Sequence, residues 1–362
     1  MKKVIIIFSL WLLVVNTFAL LTLNRFNLKP DTAYNWINPD EFSQEKSWDI
    51  VSLHSRWDSS WYLDIAKNGY VFKGPDQLSN VNFFPLYPLL IRWAGFIFSN
   101  NLVLVGWVLS IIFLFLAVLY FAKLVKEFHS EINSKLPIIL LLIFPTAFFL
   151  NAVYAESLFL FLSVASFYYA LKRKFLLSGF FGFLASLTRI FGLMLFIPLI
   201  WEYFKNNKLN LKILPLFLVP LGTTSFFLYY YFKFGDFFLY IKSQIWFGRT
   251  LAPNREHFLL FSNPATANFF LDLVFVIFAI MVAYFVYKRL RASYGIYMLS
   301  VLAIALGTGT FMSIGRYILV LFPIFILGAS LKNQYLKHSW ILISILLFSM
   351  NIILFVNNYW AG

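Results

Sequence analysis

Between His54 and Tyr70 the chain reads HSRWDSSWYLDIAKNGY, and two carboxylates, Asp58 and Asp64, stand among Trp57, Trp61 and Tyr62. A carboxylate held beside aromatic surface can act as a general base toward a hydroxyl nucleophile, or can anchor a hydroxyl group or a metal ion. Asp58 begins or precedes a stretch in which Trp61 and Ile65, and Tyr62 and Ala66, recur at i,i+4 spacing. That is the pattern of an amphipathic helix lying at a membrane surface, aromatic face down. A plainer role for Asp58 is the N-cap of that helix, and the two roles are compatible. Asp64 lies six residues on, about 240° around a helix, off the face of Asp58 and near Lys67, where solvent would satisfy it.

Further ionic residues stand isolated in apolar sequence. Glu156, in NAVYAES, heads a hydrophobic run. A carboxylate there is costly unless it faces a polar cavity or takes a partner, or sits at the positive end of a helix dipole. Arg189, in ASLTRIFG, and Arg316, in SIGRYILVLFP, present the planar fork that suits phosphate oxygens; snorkelling to an interface is their plainer role. With Arg56 as a third candidate, these arginines make a lipid phosphate or pyrophosphate the expected ligand. Candidates to line the substrate site are Trp57, Trp61, Tyr62, Asp64, Tyr154 and Tyr317.

The elements that must position these residues are apolar almost throughout. Hydrophobic residues make up 61% of the 362, charged residues only 12%, and the mean hydropathy is +0.79. An ordinary soluble domain carries about 25% charged residues. Runs of roughly 20 apolar residues recur from end to end, while the alternating strands of a barrel are absent. The sequence therefore predicts a single-domain, all-α, polytopic transmembrane protein of about eleven spans, near 4–23, 101–120, 137–153, 156–171, 175–189, 190–204, 213–231, 266–287, 294–312, 317–331 and 339–357. The basic start and the apolar run from Val4 to Leu23 predict a retained first helix, since no A-x-A-like cleavage site follows. The segment 82–98, with Pro85, Pro88 and Arg92, is expected as a short interfacial or re-entrant helix.

Charge sets the expected orientation. With the N-terminus inside, short loops such as Lys172-Arg173-Lys174 and Lys288-Arg289-x-Arg291 hold more than half of the 29 Lys and Arg residues, which the positive-inside rule favours. Two longer loops, about 24–100 and 232–265, then face away from the cytoplasm. The first carries Asp31, Asp40, Glu41, Glu45, Asp49 and Asp76 besides Asp58 and Asp64; the second carries Lys233, Asp236, Lys242, Arg249, Arg255, Glu256 and His257. Within the second, FFLYIKSQIWFG resembles another interfacial helix, suited to gripping an isoprenoid or an acceptor. Asp58, the Tyr154–Glu156 turn, Arg189 and Arg316 all fall on that outer face.

The formal charge of +14 belongs to these loops and to lipid headgroups, so no nucleic-acid partner is expected. Zero cysteines removes thiolate nucleophiles and Cys-ligated metals, and the four histidines (His54, His129, His257, His338) show no i,i+4 pair. No site for a metal is expected from them. G-x-x-x-x-G-K-[ST], G-x-G-x-x-G, H-E-x-x-H and G-x-S-x-G are all absent. An enzyme of this shape needs an activated donor that resides in the membrane, and polyprenyl-phosphate sugars are such donors.

Five blocks, RWDSSWYLDIAKNGY, NFFPLYPLL, FPTAFFLNAVYAESLF, ASLTRIFGLM and GRYILVLFP, resemble PIG-V-type mannosyltransferases in order and spacing over about residues 54–325. The resemblance is to bacterial relatives of that family. It implies a GT-C-type glycosyltransferase with its active site facing outside, in a bacterial inner membrane. It further implies an inverting transfer of mannose from a polyprenyl phosphate to a lipid or glycan acceptor. By position, Asp58 would be the essential first-loop carboxylate, Glu156 the acid of the Y-x-E-S block, and Arg189 and Arg316 the arginines of the T-R-x-x-G and R-Y blocks. Ala155 stands where relatives often carry a small hydroxyl residue, which leaves the acceptor open. No D-x-D pair occurs, so no cofactor is required and a divalent cation is left open. Two other functions compete. A lipid-linked sugar flippase would also want intramembrane arginines, yet the internal repeats common in such proteins are not seen. A membrane protein without activity would leave Asp58, Glu156, Arg189 and Arg316 scattered.

Overall fold

The computed structural model describes residues 2–26, 28, 50–75, 77–96, 101–205, 207–249 and 264–361, with side chains from 269 onward in the last stretch. The acids Asp31, Asp40, Glu41, Glu45, Asp49 and Asp76, and Arg255, Glu256 and His257, lie outside the described residues. Every regular element among the described residues is helical. In chain order these are α1 (Lys2–Arg25), α2 (Ser59–Asn68), α3 (Leu86–Gly95), α4 (Leu102–Phe128), α5 (Lys135–Leu142), α6 (Glu156–Leu171), α7 (Phe175–Ser186) and α8 (Phe196–Phe204). They are followed by α9 (Leu218–Phe234), α10 (Leu239–Ser243), α11 (Pro264–Arg289), α12 (Ala292–Gly307), α13 (Ile314–Leu319), α14 (Pro323–Ser330) and α15 (Gln334–Val356).

Five stretches are long and apolar enough to cross a membrane: α1, α4, the 211–234 segment ending in α9, α11 from residue 269, and α15. Each leaves large apolar side chains on its outside, among them Leu13, Ile112, Phe232, Ile277 and Leu342, a face that acyl chains would cover. The inner helices behave differently. α6 is buried on nearly every side from Glu156 to Ala170, and α14 from Pro323 to Ala329. A helix that is apolar all round belongs inside a bundle, and α6 packs chiefly between α4 and α7.

Two of the expected crossings are interrupted. The 137–153 stretch is α5, eight residues long, then a 3-10 turn at Ala147–Asn151. Pro145 removes a backbone donor and disfavours helix at Phe144, and its carbonyl accepts Asn351 Nδ2 at 2.9 Å instead. The 317–331 stretch is likewise split ahead of Pro323 into α13 and α14. In 82–98 the helix is the short α3; Pro85 precedes it and Pro88 sits in its first turn, where a missing N–H costs nothing. Of these segments, the one ahead of α3 brings Asn82, Phe83 and Phe84 to the wall of a cavity, and α13 brings Arg316 and Tyr317 to it.

Candidate active site

Asp58 is placed by an unfavourable backbone residue. Trp57 holds φ 54°, in the left-handed region that bulky side chains avoid. The turn directs Asp58 to the head of α2, yet its carboxylate caps no backbone N–H, so the capping role does not hold. Instead Oδ2 accepts from Arg316 Nη1 at 2.7 Å. Oδ1 takes no hydrogen bond from the described residues, and 19% of the side chain stays open at the cavity.

Arg316 is shared. Its Nε and Nη2 both donate to Glu156 Oε1, at 2.9 and 2.8 Å. Its guanidinium carbon lies 4.8 Å from the ring centroids of Phe149 and Tyr154, an arrangement that favours a desolvated cation. Glu156 is fully buried at the first position of α6, where the helix dipole also favours an acid. Arg189 Nη1 approaches the same Oε1 to 2.7 Å, although the angle is not that of a hydrogen bond. Glu156 Oε2 has no partner among the described residues. Two carboxylates and two guanidinium groups thus form a connected cluster of zero net charge, the condition under which buried ions are tolerated.

Local bonds explain why residues this far apart meet. Val153 N donates to His54 O at 2.8 Å, and Tyr154 Oη to Arg56 O at 2.9 Å. These two bonds latch the first loop to the segment before Glu156. Thr146 Oγ1 donates to Gly315 O at 2.9 Å, fixing the start of α13. Arg189 is set by a tight turn after α7: a Cβ on Gly192 would lie 2.3 Å from the Ala185 backbone, so only glycine fits.

The cluster borders a cavity of about 410 Å³. Of the residues singled out from sequence, Trp57, Asp58, Tyr62, Arg189, Arg316 and Tyr317 line it. Glu156 sits behind the wall. Four others do not line it. Asp64 is tied to Asn68 and Asn80 by hydrogen bonds of 2.7 and 2.6 Å, bracing α2 against the loop that follows. Trp61 stacks on Phe83 at 6.1 Å within the core. Tyr154 spends its hydroxyl on the latch. Arg56 turns to the carbonyls of Ser52 and Ser55, at 3.0 and 3.3 Å, rather than to the cavity. Burial holds the Arg56 guanidinium down to about 10. Burial, reinforced by the charge of Arg56, holds His54 down to about 3, so His54 is neutral where it stacks 4.4 Å from Trp107. Burial, reinforced by Glu156, pushes the Tyr62 phenol well up. Among the described residues no group of three His, Asp or Glu side chains is arranged to hold a metal ion.

Sequence reasoning missed several lining residues: Asn82, Thr188, Tyr240, Gln244 and Trp360, and it gave Arg249 no specific role. Asn82 and Thr188 stand within the blocks NFFPLYPLL and ASLTRIFGLM, and Tyr240 and Gln244 within FFLYIKSQIWFG, a signal that was available. Nothing in the sequence marks Trp360.

Residues 5–197, more than half of the chain, match the family described as mannosyltransferase (PIG-V). The matched stretch includes Asp58, Glu156 and Arg189, and ends before Arg249 and Arg316. No curated protein matches the chain.

Proposed function

The chain belongs to the mannosyltransferase (PIG-V) family, and from that premise we propose a GT-C-type enzyme that moves mannose from a polyprenyl phosphate to a hydroxyl of a lipid or glycan acceptor. The observation that carries this reading is Asp58: one oxygen clamped by Arg316, the other unengaged, at the edge of a cavity with aromatic walls. The acceptor oxygen attacks C1 of the sugar from the face opposite the phosphate. The bond from C1 to the phosphate oxygen breaks with its electron pair on that oxygen. The acceptor proton passes to Asp58 Oδ1, and the anomeric centre inverts. A positioned base contributes roughly 10²–10⁴-fold to such a step.

Arg316 and Arg189 then act mainly on the protein's own carboxylates. Arg316 fixes the Asp58 rotamer, and Glu156 together with Asp58 balances the two guanidinium charges. In this reading the inner short helices supply the remaining crossings of an eleven-span, N-inside topology, and the cavity opens on the outer side of a bacterial plasma membrane.

The test is a reconstituted transfer assay with radiolabelled polyprenyl-phosphate mannose and a membrane lipid extract as acceptor source. Wild-type protein should transfer label from the lipid donor and not from GDP-mannose, and Asp58→Asn should abolish transfer. Use of the nucleotide sugar, or a wild-type rate in Asp58→Asn, would refute the scheme.

A further inference from the structure

We propose that the donor's phosphate is bound by Arg249 and Asn82, not by the arginines nearest Asp58; this assignment rests on the donor class proposed above. Charge accounting leads to it. Arg316 commits Nε, Nη1 and Nη2 to Glu156 and Asp58, and Arg189 faces Glu156. Those four groups already cancel. Arg249 lines the same cavity, and its side-chain partners are neutral: Nη1 donates to Gln244 Oε1 at 2.8 Å and Nη2 to Tyr317 Oη. Among the described lining residues it is the cation that no carboxylate balances. The described wall, with the Glu156 behind it, therefore carries one surplus positive charge, which matches the single negative charge of a phosphodiester. The departing phosphate becomes a monoester whose second ionisation lies near pH 6. The attraction of Arg249 therefore grows along the reaction coordinate, the condition for catalysis by fixed charge.

Asn82 supplies a second, independent indication. Its Oδ1 accepts from both Ser243 Oγ and Gln244 Nε2. Gln244, whose own Oε1 is held by Arg249 Nη1, fixes which end of the Asn82 amide is which. The opposite end, Nδ2, is buried at the cavity wall with no acceptor among the described residues. A buried donor left unmade is costly, and an anionic ligand oxygen would satisfy it. The loop is shaped to hold the pair together. Gly248 adopts φ 65°, and Arg249 N returns to Gln244 O at 3.2 Å. Gln244 thus touches both Asn82 and Arg249. The Tyr317 ring lies 5.5 Å from the Arg189 guanidinium carbon and 5.9 Å from that of Arg249, joining this wall to the ionic cluster. Ile241, Phe247 and Met312 offer adjoining apolar surface for the first isoprene units.

The experiment compares binding of farnesyl phosphate and farnesol to detergent-solubilised full-length protein, with folding checked by thermal melting and gel filtration. Wild-type protein should prefer the phosphate by about tenfold or more, the scale of a hydrogen bond to a charged group. Arg249→Gln should erase that preference and Arg249→Lys should keep part of it. Asn82→Asp, nearly isosteric, should erase it by repulsion, and it decides the matter where Arg249→Gln does not fold. Lys242→Gln, an exposed cation nearby that pairs with Asp236, should change nothing. An undiminished preference in folded Arg249→Gln or Asn82→Asp, or no preference in wild type, overturns the assignment. Phosphate preference without mannosyl transfer would sink the donor reading alone. Transfer with preference intact in Arg249→Gln would sink this one alone.

Discussion

The helix α12 runs for 16 residues, about 24 Å, between two buried acids that the molecule treats differently. Near its start, Ser293 Oγ donates to Glu202 Oε1, and Arg291 Nη1 stands 3.7 Å from the same oxygen. Near its other end, Ile304 and Gly307 line the cavity beside which two guanidinium groups meet Glu156. At Glu202 a single partly exposed cation and a hydroxyl supply the bonding at Oε1, and none of the three groups lines the cavity beside Asp58. At Glu156 the bonding continues outward through Arg316 to Asp58, whose second oxygen is left unengaged. Both ends bury a carboxylate, so burial alone does not mark a site. What separates them is that one network closes on itself and the other ends at an opening.

The largest break in this contrast should come from Arg316→Gln. It strips Asp58 of its clamp and leaves the cluster with surplus negative charge. Loss of one partner of a buried pair costs about 3–5 kcal/mol, readable as a lowered melting temperature, with transfer falling at least as far as in Asp58→Asn. Lysine should not rescue it, because a point charge cannot bridge two carboxylates as a planar fork does. Glu156→Gln should come next, at about 3 kcal/mol, with a smaller drop in kcat because the Asp58–Arg316 bond remains.

Acid should act through the latch. An unfolded histidine titrates near 6.5 whereas buried His54 resists protonation down to about 3. The unfolded chain therefore binds the extra proton, and stability falls as pH drops below 6.5, by up to about 1.4 kcal/mol per unit. Between pH 7 and pH 5 that is about 2 kcal/mol, measurable as a shift in melting temperature that His54→Gln should flatten. Glu202→Gln should do least. The Ser293 bond survives, Arg291 is partly exposed, and the cost should stay within about 1 kcal/mol with unchanged transfer. A loss as large as that of Glu156→Gln would dissolve the distinction between the two ends.

Much of this was legible in sequence because scarce groups in apolar sequence must find one another. Asp58, Glu156, Arg189 and Arg316 could be picked out from type and surroundings alone. Their meeting could be expected from cost, since none could stay unpaired in a bundle. Other features were hidden. Helical periodicity tells which face a residue occupies, not what it touches; hence Asp64, expected near the substrate, is instead held by Asn80 across 16 residues. Hydropathy averages over breaks, so Pro145 and Pro323 were passed through as if 137–153 and 317–331 were continuous. Arg249 could not be ranked above Arg56 without knowing that one meets neutral groups at a cavity and the other its own backbone.

The clamp on Asp58 joins residues 258 positions apart, whereas Glu156 and Arg189 belong to neighbouring helical segments. A nascent chain leaving the ribosome can therefore neutralise Glu156 early, through Arg189, as those segments enter the bilayer. Asp58 must wait until the segment bearing Arg316 has been synthesised and inserted. On the role proposed for Asp58, competence is thus among the last properties the growing polypeptide acquires, and a product released before that segment would be inert.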